Sequence, residues 1–87
     1  MKDKTVYTVK ETFGEQIGFG SSVIVFEHEA DAIQTAEAIY RQLLEDAKEE
    51  GQTLTATRRK GKKREGFLLE IYIEGLVEIR VDRKVIR

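Results

Sequence analysis

An α+β fold is what this sequence predicts: a single small domain over residues 1–87, element order β-β-α-β-β-β, with a mostly antiparallel sheet packed on one long helix. Three observations carry that reading. Between Ile33 and Ala47 apolar side chains recur at spacings of three and four, as they do along one face of a helix. Phe67–Glu74 and Leu76–Val81 alternate apolar with polar residues, which is the period of a half-buried strand. Shorter runs rich in β-branched residues lie before and after the helix. One helix covers only one face of such a sheet, and an antiparallel sheet tolerates water on the other.

The first strand is Thr5–Lys10, with Tyr7 and Val9 on one face and Val6 and Thr8 on the other. Gly14–Ser22 holds three glycines and reads as a loop, and Val23–Phe26 is a short apolar run of strand length, so the two strands form a hairpin. The helix is expected from about Glu29 to Glu50, with Ile33, Ala36, Tyr40, Leu43, Leu44 and Ala47 as its apolar stripe. Glu29 and Asp31 complement the dipole in its first turn, and Gly51 is placed for a left-handed cap. At its far end Glu45, Asp46, Glu49 and Glu50 crowd the negative pole with only Lys48 among them, so that end is expected to fray or to lie near something basic.

Gln52–Thr57 alternates Leu54 and Ala56 with three threonines and is the third strand. In the fourth, Phe67, Leu69, Ile71 and Ile73 share the core face, opposite Leu68, Glu70, Tyr72 and Glu74. Keeping Ile71 and Ile73 on one face with Val77 and Ile79 sets Ile73 opposite Val77 across the loop Glu74-Gly75-Leu76. The same reasoning sets Leu54 against Ile71 and Ala56 against Leu69. Arg58 then opposes Phe67 and Lys60 opposes Glu65, and the basic residues fall at the tip of a projecting hairpin. The first or the last strand is the expected free edge, available for homodimer formation by edge-strand pairing.

Charge is the distinctive feature of the chain. Arg58-Arg59-Lys60-Gly61-Lys62-Lys63-Arg64 concentrates six cations, while the remaining residues hold 9 Lys and Arg against 16 Asp and Glu. No cysteine is present, so disulfides and thiolate metal sites are excluded, and His28 is the one imidazole. Flanked by Glu27 and Glu29, it reads as a helix-entry residue, because a zinc catalytic set needs at least three protein ligands. The loop Gly14–Ser22 runs into a strand and lacks a Gly-Lys-Ser/Thr ending, so it is no phosphate loop. Ser21 and Ser22 have no histidine in an evident triad order. No catalytic residue, metal site or cofactor is expected, and no apolar run reaches the roughly 20 residues that span a bilayer. The expected location is cytoplasmic.

The residue types point to a non-enzymatic binding protein whose basic β-hairpin tip contacts nucleic acid. Arg58, Arg59, Lys60, Lys62, Lys63 and Arg64 are the candidate phosphate contacts, because each cation that neutralises a phosphate releases counterions. No aromatic residue lies in that stretch to stack on a base, so strong sequence specificity is not expected. The plainer reading is a solvated hairpin whose charges guard an edge. The alternative function is a small protein-binding inhibitor or adaptor of mobile-element or phage type, taking an acidic or basic protein partner. It would act through the acidic helix (Glu45, Asp46, Glu49), the Gly-rich loop (Phe19) or the exposed sheet face (Tyr72). Phe13, Ile17 and Phe19 of that loop either cap the core or form a contact surface.

Overall fold

The computed structural model describes residues 4–14, 18, 20–61 and 66–86. Ile17, Phe19, Lys62, Lys63 and Arg64, singled out above, lie outside the described residues. The elements are β1 (Lys4–Phe13), β2 (Gly20–Phe26), α1 (Glu29–Glu49), β3 (Ala56–Lys60), β4 (Phe67–Ile73) and β5 (Val77–Ile86). All five strands form one antiparallel sheet in the order β2-β1-β5-β4-β3. The β-β-α-β-β-β order and the α+β class are therefore as the sequence indicates.

Alternation decides which face each residue takes. Val9, Ile71, Ile73, Leu69, Val77, Ile79 and Val81 form the buried cluster with Ala32 and Ala36 of α1. The helix comes down on the sheet through these two alanines, both fully buried, and Ile33, Ile39, Tyr40 and Leu43 pack around them. The stripe is thus centred on smaller side chains than the spacing of Ile33, Tyr40 and Leu43 implies. Small residues at the line of contact let a helix approach a sheet closely, with the larger ones filling the flanks.

The helix ends where Gly51 takes φ 73°. The Gln52 N–H donates to the Ala47 carbonyl at 2.8 Å and the Gly51 N–H to the Lys48 carbonyl at 3.1 Å, the paired bonds of a Schellman closure. This cap closes the acidic end. None of the four ion pairs among the described residues involves Glu45, Asp46, Glu49 or Glu50.

Four expectations need correction. β3 begins at Ala56, not Gln52, because residues 52–55 are used in returning the chain from the helix cap to the sheet. Its register on β4 is slid by four residues: Arg58 opposes Ile71, Arg59 opposes Glu70 and Lys60 opposes Leu69. A slide by an even number leaves every side chain on its expected face, so alternation alone does not distinguish the two registers. Phe67 leaves the face of Leu69 and Ile71, because the ladder between β4 and β5 shifts between Phe67 and Leu69. A bulge of this kind turns the side chain that precedes it to the opposite face. The free edges are β2 and β3, since β1 and β5 pair with each other in the middle of the sheet. The β4–β5 hairpin has the expected pairing of Ile73 with Val77, with Gly75 at φ 76°.

Candidate nucleic-acid interface

Each step along β3 changes the face of the side chain, so the cations of this strand do not make one stripe. Arg58 points to the helix side. Its guanidinium donates to both carboxylate oxygens of Glu37, one at 3.0 Å, and lies 5.8 Å from the centre of the Tyr40 ring. Arg59 points to the open face, 3.5 Å from Glu70 and 4.7 Å from the centre of the Phe67 ring. Arg80 covers the same ring at 5.2 Å and donates to Asp82 at 2.9 Å. That hydrogen bond raises the guanidinium above its ordinary pKa, so Arg80 stays charged at any working pH.

Phe67 is consequently buried on the open face, its ring shared by two guanidiniums whose carbon stems shield it from water. It is unavailable for stacking on a base. Tyr72 is exposed on that face, opposite Thr57 on β3 and Glu78 on β5.

Two arginines of the basic stretch are therefore held in internal pairs. A cation already facing a carboxylate at contact distance offers little net field to a phosphate. Lys60 is exposed and takes part in no ion pair among the described residues. It leads into Gly61, whose N–H donates to the Leu68 carbonyl at 3.1 Å and closes the described part of the hairpin.

The long β1–β5 pairing adds cations that the sequence reading did not include. β5 continues five residues past Val81, pairing Asp82 with Thr8, Arg83 with Tyr7 and Lys84 with Val6. The Arg83 N–H donates to the Gly66 carbonyl at 3.0 Å, which ties the end of β5 to the returning arm of the β3–β4 hairpin. Arg83 and Lys84 are exposed and unpaired among the described residues. Lys60, Arg83 and Lys84 thus share one end of the sheet with the hairpin turn, between whose ends, Gly61 and Gly66, the sequence carries Lys62, Lys63 and Arg64. Lys4 is at this end also, paired with Glu27 at 3.2 Å. The signal for the longer strand was Val85-Ile86, a β-branched pair after the polar run Asp82-Arg83-Lys84.

Glu45, Asp46 and Glu49 are exposed near the C-terminus of α1, toward the opposite end of the molecule. Tyr72 lies across the sheet from that helix, so these candidate protein contacts do not form one surface. Among the described residues no group of three or more His, Cys, Asp or Glu side chains is arranged to hold a metal ion, and no helix is long and apolar enough to cross a membrane. No protein-family model, curated protein or solved structure matches the chain.

Proposed function

We propose that this protein is a non-enzymatic binding protein whose basic end engages the nucleic-acid backbone without strong sequence preference. The reading is supported by one observation above the others: Lys60, Arg83 and Lys84 stand free of ion pairs among the described residues, at the end of the sheet that carries the Gly61–Gly66 turn. Lys62, Lys63 and Arg64 lie between Gly61 and Gly66 in the sequence. The six cations differ from the original set, because Arg58 and Arg59 give way to Arg83 and Lys84. Their contacts would be to phosphates, which carry no base identity, and the ring best placed beside them, Phe67, is already covered.

Counterion release makes such binding steeply dependent on salt. With about six phosphates neutralised, affinity for duplex DNA should fall about 10³-fold between roughly 50 and 200 mM monovalent salt. Fluorescence anisotropy with labelled DNA duplexes of two unrelated sequences and with a labelled RNA hairpin measures this directly. Both duplexes are expected to bind within a few-fold of each other. The variant Lys62→Ala/Lys63→Ala/Arg64→Ala should bind more weakly, with a salt slope shallower by about three contacts. Absence of binding to every probe at low salt, or an unchanged slope in the variant, overturns the proposal.

A further inference from the structure

The helix side of the basic end holds a cleft with its own chemistry. The ladder shift between Phe67 and Leu69 makes Leu68 the extra residue of a bulge, and Leu68 packs from there against the border of the core. Two adjoining cavities of about 260 and 380 Å³ open around it, between the first half of α1 and the base of the β3–β4 arm. Among the described residues they share Glu29, Gly61 and Leu68. Ile33, Glu37, Arg58 and Lys60 line the larger, and Tyr7 and Arg83 line the smaller. Together they fall in the size range of small-ligand sites, roughly 300 to 1,000 Å³.

Two kinds of surface meet there. Tyr7, Ile33 and Leu68 are half-buried and pack on the core, so each leaves part of its apolar surface to the cleft. Lys60 opposes Leu69, which opposes Val81, and Arg83 follows Val81 by two residues, so both cations take the helix face. Two strand spacings of about 4.8 Å and two residues of about 3.3 Å set their Cα atoms about 12 Å apart, a gap that two long side chains close on one anion. Neither is in an ion pair among the described residues. Of the two carboxylates, Glu37 is held by Arg58. Glu29 stands in the first turn of α1, where the positive end of the helix dipole offsets its charge.

We propose that this cleft takes a single unpaired nucleotide at the end of a nucleic-acid strand, with its base against Tyr7, Ile33 and Leu68 and its phosphate between Lys60 and Arg83. The inference rests on the nucleic-acid reading above and adds to it a preference for overhanging ends over blunt duplex. A base is flat and apolar on its faces, and it arrives attached to the anion that the two cations attract. A paired base lies inside the stack and is extruded only at a cost, whereas an unpaired one is free to enter.

Glu29 accepts hydrogen bonds and donates none, which suits the exocyclic amino groups of adenine, cytosine and guanine. Every base has an apolar face to bury, so a preference for strand ends goes together with weak sequence specificity. The cleft adjoins the Gly61–Gly66 turn, so one molecule holds the terminal nucleotide and the neighbouring backbone at the same time.

Fluorescence anisotropy with one DNA duplex in three forms tests this: blunt, with one unpaired deoxyadenosine at each end, and with an abasic nucleotide in the same places, overhangs of both polarities being used. The deoxyadenosine form should bind about tenfold more tightly than the blunt one. The abasic form adds the same phosphate without a base and should gain no more than about twofold. Leu68→Gln exchanges apolar surface for an amide of similar length, so it should erase the tenfold gain and leave blunt binding unchanged. Tyr72→Ala, on the open face, should leave both unchanged. Should Leu68→Gln fail to fold, a fluorescent purine analogue as the unpaired base reads the same contact on the unsubstituted protein, which has no tryptophan. Its emission should change on binding, and that of the same analogue inside the duplex should not. Equal affinity for the blunt and deoxyadenosine forms overturns this inference and leaves the backbone reading standing, whereas absence of binding to every form overturns both. A gain shared by the abasic form, a gain that survives Leu68→Gln, or an unpaired analogue whose emission stays constant also overturns the inference.

Discussion

Ile71→Ala is expected to lower the unfolding free energy by about 3 to 4 kcal/mol, near the middle of the range for large-to-small changes in a packed core. Ile71 is fully buried at the centre of β4, paired with Ile79 on β5 and opposite Arg58 on β3. Its side chain faces the line where Ala32 and Ala36 bring the helix against the sheet. Short alanine side chains do not reach into a vacated space, so the cavity stays open and the cost includes lost contacts as well as lost transfer energy. For a chain of 87 residues, total stability on the order of 4 to 13 kcal/mol makes this a large fraction. Urea unfolding monitored by circular dichroism reads it. Val25→Ala, on the exposed edge strand, should change stability by less than about 0.5 kcal/mol, as surface substitutions do. A loss below about 1 kcal/mol for Ile71→Ala would remove this residue from the core.

Gly61→Ala carries the second large effect. A Cβ on Gly61 would fall on the main-chain carbonyl of Phe67, and backbone cannot swing aside as a flexible side-chain tip does. The Gly61 N–H to Leu68 carbonyl bond would have to open, and with it the last described rung of the β3–β4 hairpin. The expected cost is about 1 to 3 kcal/mol, the usual range for overpacking. Gly20→Ala is the matched control, since its methyl meets nothing nearer than the Phe13 ring at 3.9 Å. Hydrogen exchange at the Gly61 amide localises the damage. A stability equal to that of the unsubstituted protein, with the Gly61 amide still protected, would contradict the close approach of these two strands.

Much of the architecture is legible in the sequence because it follows from local rules. The helix shows its period and its Gly51 cap, and the β4–β5 hairpin is determined by alternation together with a three-residue loop. What escaped depends on contacts between distant residues. The register of β3 was open to a four-residue slide that preserves every face, and the bulge beyond Phe67 has no glycine at the shifted residues to announce it. Arg58 looked free because its partner, Glu37, is 21 residues away across the sheet–helix interface. Arg83 and Lys84 were missed as candidate contacts because their position depends on β1 pairing with the far end of β5. Charge clustering in sequence therefore located the basic hairpin but did not show which of its cations are held in internal ion pairs.

Two double variants separate these sets and test the proposed backbone contact most directly. Arg83→Ala/Lys84→Ala removes two cations that are unpaired among the described residues, whereas Arg58→Ala/Arg59→Ala removes two that are held by Glu37 and Glu70. Each folded variant is titrated with one DNA duplex over a series of salt concentrations, and the slope of log K against log salt is compared. The slope should become shallower by about 2 in the first variant and by less than about 0.5 in the second, because each phosphate contact contributes about 0.9. An equal loss in both, or a loss confined to Arg58→Ala/Arg59→Ala, would contradict the assignment of the contact to the end of the sheet formed by Lys60, Arg83 and Lys84.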